Sequence, residues 1–134
     1  MDNRNISEEY ARIGQDLIDT EPSLAHIKES QATIVYLTSD HEKKSAGKIV
    51  CGECEKVPQK WKWAVPCDFT ITIFEPNVER FTDEQIRVLI FHELLHVMIT
   101  KDGNEESYSV KPHDVEDFRE IIDRFGFDWG SVIL

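Results

Sequence analysis

Apolar positions along the chain fall into runs with distinct periods. Tyr10, Ile13, Leu17 and Ile18 recur at helical spacing behind Ser7, with Glu8 and Glu9 in the first turn, so Ser7–Asp19 predicts a helix. Glu21-Pro22-Ser23 interrupts it, and a short helical turn through Leu24, His26 and Ile27 follows. Thr33–Leu37 is β-branched and aromatic and reads as a strand, and Lys48–Cys51 starts a second. Between them, Ser39–Gly47 is polar and lysine-rich and reads as a solvated loop, Lys43-Lys44 included. Lys56–Pro66, with two prolines and two tryptophans, reads as an irregular connection. In Asp68–Phe74, Phe69, Ile71 and Ile73 alternate with Thr70, Thr72 and Phe74, the pattern of a strand with one buried face.

A second helix is expected to start at Thr82, where Thr82 and Gln85 have the form of a capping box and Asp83 and Glu84 suit the positive end of the dipole. The helix is expected to run to about Thr100, where Lys101-Asp102-Gly103-Asn104 stops it. Glu105–Pro112 reads as a polar loop. Val115, Phe118, Ile121, Ile122 and Phe125 stripe a last helix over about Asp114–Phe125. Helix, three strands, helix, helix is the order of an α+β domain with a small three-stranded sheet, and 134 residues suit one domain, 1–134.

Within the second helix, Val88–Ile99 reads VLIFHELLHVMI. Nine of these twelve residues are apolar, so most sides of the helix must be buried. The exceptions are His92, Glu93 and His96. Burying such groups without partners costs roughly 1–3 kcal/mol each, and a divalent cation compensates. Residues four apart share a helix face, so His92 and His96 can offer two nitrogens to one ion. Glu93, rotated about 100° from His92, sits where a general base reaches a water on that ion. H-E-x-x-H on a helix is the zinc metalloprotease arrangement.

Catalytic zinc takes three protein ligands and keeps a position open. The metzincin continuation fails, because Ile99 and Asp102 stand where its glycine and third histidine would be. Downstream, His113 is the first candidate, seventeen residues after His96. Glu116 is the rival, and Asp117 a further option. Asp114 or Asp117 could instead accept the second ring N–H of a ligand histidine.

The segment Cys67–Phe74, the motif FHELLHV (Phe91–Val97) and the tail Lys111–Phe118 resemble the phage metallopeptidases, small zincins distantly similar to SprT/Spartan-type proteases. The similarity also touches Ala32–Asp40 and Gly52-Glu53-Cys54. It implies a minimal zincin-like domain, Zn2+ on His92, His96 and His113, Glu93 as the catalytic residue, and a peptide or protein substrate. In zincins generally an extended substrate lies along an edge strand near the metal, and Asp68–Phe74 is the expected edge. A domain that holds zinc and binds a host or partner protein without cutting it is the alternative.

The remaining features narrow the picture. Net charge is 15 − 26 = −11, which disfavours unaided binding to nucleic acid or an anionic membrane and weighs against a DNA-associated protease. No apolar run is long enough to span a membrane, and the opening residues lack the order of a signal peptide. A cytoplasmic location is therefore expected. Cys51, Cys54 and Cys67 cannot all pair within one chain, which fits a reducing compartment. Cys51-x-x-Cys54 is half a zinc-ribbon spacing, and the three are expected to be ordinary thiols rather than a second metal site. Trp61, Trp63 and Trp129 could line a groove, but core packing is the expectation. Tyr108 reads as a plain loop tyrosine rather than an oxyanion donor.

Overall fold

The computed structural model describes residues 3–111. The expected last helix, with His113, Asp114, Glu116 and Asp117, lies outside the described residues, as does Trp129. In chain order the elements are β1 (Arg4–Ile6), α1 (Glu8–Thr20), α2 (Ala25–Lys28), β2 (Ile34–Ser39), β3 (Lys44–Ser45), β4 (Lys48–Ile49), β5 (Gly52–Lys56), β6 (Phe69–Phe74), α3 (Asp83–Leu95), β7 (Val97–Asp102) and β8 (Glu105–Val110). The class is mixed α+β.

The local signals for α1 and for the start of α3 act as expected. Ser7 Oγ accepts from Tyr10 N at 3.1 Å, and Pro22 follows the last turn of α1. Thr82 Oγ1 accepts from Gln85 N at 3.2 Å while Gln85 Oε1 accepts from Thr82 N at 2.9 Å, completing the capping box.

The main sheet has four strands among the described residues rather than three, ordered β1-β2-β6-β5. β2 runs parallel to β6, while β1 and β5 are antiparallel to their neighbours. Two expectations fail here. Lys48-Ile49 does not enter the sheet. It closes a small hairpin with Lys44-Ser45, because Ala46 and Gly47 at φ 50° and 78° make a tight reversal. Asn77 then pins the exit by donating to the carbonyls of Lys43 and Val50, and the sheet strand begins only at Gly52.

Asp68–Phe74 is not the edge. β6 is interior, hydrogen-bonded on both sides, and both of its faces are covered. Phe69, Ile71 and Ile73 are buried in the core with Leu17, Leu24, Leu89, Ile90 and Leu94. On the opposite face Arg4 donates to Thr72 Oγ1 at 3.0 Å, and Arg4 and Lys43 lie 5.7 and 5.5 Å from the ring centre of Phe74. Among the described residues the edges are β1 and β5.

α3 does not run to Thr100 as expected. It ends at Leu95 with His96 as cap, and Val97–Asp102 turns into a strand. The β-branched Val97, Ile99 and Thr100 suit a strand, and Gly103 at φ 64° closes a hairpin in which Asp102 faces Glu105. The expected polar loop is therefore largely β8. Tyr108 packs edge-on against Phe69 at 5.6 Å, and His26 Nε2 donates to the Val97 carbonyl at 2.9 Å, tying α2 to the hairpin.

Trp61 and Trp63 are not in the core. They are 50% and 83% exposed, on the connection between β5 and β6. No helix among the described residues is long and apolar enough to cross a membrane.

Candidate metal centre

α3 is buried along most of its second half, from Val88 to Leu94. Its polar side chains there are no exception to that burial: His92, Glu93 and His96 are 5%, 1% and 4% exposed. One ligand atom from each lies within 4.8 Å of the others. The two imidazoles meet edge-on, with ring centres 5.1 Å apart, and Glu93 Oε1 is 4.0 Å from His96 Nε2. Helical spacing alone brings the three together.

The surroundings orient two of them. His96 Nδ1 is 2.5 Å from the Lys111 carbonyl oxygen. A carbonyl only accepts, so the ring must carry its proton on Nδ1, which leaves Nε2 as the lone-pair nitrogen. Lys111 N also donates to the His96 carbonyl at 2.7 Å, so the end of the hairpin is fastened to His96 by two bonds. Glu93 lies against β5. A Cβ on Gly52 would sit 3.3 Å from Glu93 Oε2, and the absent side chain makes the seat for the carboxylate.

Glu93 Oε2 is fully buried and has no hydrogen-bond partner among the described residues. Burial, with the nearby negative charge of Glu53 adding to it, pushes the Glu93 carboxyl up to about 8. The charge of Glu93 in turn adds to the burial that raises Cys51, to about 11, and Cys54. A buried carboxylate with an unmatched oxygen, beside two buried imidazoles of which one is held in the ligating tautomer, is a donor set suited to a cation. A cation there would favour the charged carboxylate and reverse the effect of burial.

A family model described as Putative phage metallopeptidase matches residues 3–133. The chain belongs to the phage metallopeptidase family. Membership implies a metal ion, a peptidase activity and a peptide or protein substrate at the level of the family. The matched range takes in both the described residues and most of the segment beyond them, including His113, Glu116 and Asp117. No curated protein and no solved structure gives a match to the chain.

The other candidates among the described residues are not part of the gathered site. Tyr108 donates to Glu106 at 2.7 Å, and Lys62 stands 5.4 Å from its ring centre. Cys51, Cys54 and Cys67 are free thiols, and no potential metal cluster among the described residues includes them. Sequence reasoning missed two contributors. Gly52 carried a usable signal, since a glycine inside a strand often marks a close approach. The Lys111 carbonyl carried none, because any residue supplies one.

Proposed function

We propose that the chain is a zinc-dependent metallopeptidase that uses Glu93 as general base, with His92, His96 and His113 as the zinc ligands. The observation that carries the reading is the buried trio on α3, with an oxygen of Glu93 left unmatched in the core. The position of Lys111 supports His113 as third ligand. Lys111 is hydrogen-bonded to His96, and His113 comes two residues after it in the sequence, before Glu116 and Asp117.

Zinc, when bound, supplies Lewis-acid activation of water and of the scissile carbonyl. The chain supplies the rest. Glu93, confined between α3 and Gly52, takes a proton from the attacking water and passes it to the leaving amine. The Lys111 carbonyl keeps His96 in one tautomer throughout. An extended substrate pairs with the edge strand β5, whose Gly52 lies beside Glu93, and not with the interior β6.

Glu93→Gln tests the assignment. The variant is expected to retain stoichiometric zinc and to lose peptide turnover by at least about a hundredfold. A native protein that binds zinc but cleaves no unfolded protein or peptide would favour a zinc-binding domain that docks a partner without cutting it.

A further inference from the structure

The connection between β5 and β6 displays two tryptophans that the core does not use. Trp63 is 83% exposed, Trp61 50% and Val65 40%. They are presented on an ordered turn: Trp61 N donates to Pro58 O at 2.9 Å, and Ala64 N and Val65 N donate to Trp61 O at 3.0 and 2.9 Å. Large exposed indoles on a hydrogen-bonded turn are the composition of a binding hot spot rather than of a solvated loop.

The charge of this stretch is opposite to that of the chain. From Lys56 to Cys67 there are three lysines and no acidic residue, in a protein of net charge −11. Lys62 is engaged by Asp68 at 2.5 Å. Lys60 is exposed and stands 5.8 Å from the Trp61 ring centre, so a cation and an indole are offered together, with the exposed Trp63 two residues further along the same turn.

The loop is also only a short length of strand away from residues of the candidate metal centre. It begins just past Lys56, four strand residues or about 13 Å beyond Gly52, which seats Glu93. On its other side Lys62 lies 5.4 Å from the ring centre of Tyr108, three residues or about 10 Å before Lys111, which holds His96. An extended peptide lying along β5 with its scissile bond at Glu93 would meet the loop three to four residues away.

We infer that Lys60, Trp61 and Trp63 form a substrate subsite that selects peptide segments carrying an acidic residue next to a large apolar one, three to four positions from the bond to be cut. The lysine takes the carboxylate and the indoles take the apolar side chain. This inference takes the Glu93 cleft as the peptide site and so rests on the function proposed above.

The test uses the full-length, zinc-loaded Glu93→Gln protein, which holds a peptide without consuming it. Two short labelled peptides are compared, one with Glu-Leu pairs three to four positions from its centre on both sides and one with Lys in place of each Glu. The acidic peptide is expected to bind roughly tenfold tighter. Adding Lys60→Glu and Trp63→Ala should remove that preference. Equal binding of the two peptides, or variants that keep the preference, would overturn the inference. A large fall in Tm on Trp63→Ala would also overturn it, since the ring would then be buried within the molecule. Native protein that cuts both peptides with equal kcat/KM defeats the subsite alone. Native protein that cuts neither, while the preference in binding persists, defeats the catalytic reading alone.

Discussion

Removing metal should leave Glu93 with a proton that the unfolded chain does not hold, and stability should then depend on pH in a specific direction. In the fold the carboxyl titrates at about 8, against 4.5 ordinarily. Between these values the folded state binds more protons than the unfolded state, so stability falls as pH rises. The contribution is fully favourable below about pH 4.5 and is lost through pH 8. Each pH unit inside the window costs at most about 1.4 kcal/mol, and the whole window costs at most about 5 kcal/mol. That ceiling is comparable to the entire stability of many small domains. The assay is urea unfolding of the metal-free protein in chelator from pH 5 to 8.5, alongside Glu93→Gln, whose side chain does not titrate. The native chain should lose stability relative to the variant as pH rises, and excess zinc should restore it. Parallel curves for the two proteins, or a native chain that gains on the variant at high pH, would refute the reasoning.

Two glycines make sharper geometric claims. Gly52→Ala places a Cβ 3.3 Å from Glu93 Oε2, Ile73 Cδ1 and the Thr72 carbonyl. The displaced carboxylate should lower kcat roughly tenfold with zinc content unchanged, measured by steady-state cleavage and metal analysis. Gly14→Ala would drive a Cβ to 2.1 Å from the buried Tyr36 hydroxyl. It should cost about 2 kcal/mol or more by urea unfolding, and less in a Tyr36→Leu background, where the clash is relieved.

The features that were legible in the sequence are those written locally. The Ser7 cap, the Thr82–Gln85 box and the existence of the strand Phe69–Phe74 each depend on neighbours in sequence, and the structure bears them out. The trio on α3 was legible for a different reason: polar ligands in an otherwise apolar helix demand compensation wherever the helix packs. The end of α3 was not legible, because Val97–Thr100 continues the apolar run without a glycine or proline to mark the change from helix to strand. The interior place of β6 was hidden because pairing with β2 and β5 is a non-local fact, and its exposed-looking threonines and Phe74 are covered by Arg4 and Lys43 from distant segments. Trp61 and Trp63 were misjudged because aromatic residues usually serve the core, and nothing in their local pattern reveals that the connection carries them outward.

Metal content bears most directly on the central claim. The native chain, purified without chelator, should carry one equivalent of zinc by elemental analysis. His92→Ala, His96→Ala and His113→Ala should each lose it, while Glu93→Gln and Glu116→Ala keep it. A native protein that folds stably yet neither carries nor takes up a transition metal would contradict the account.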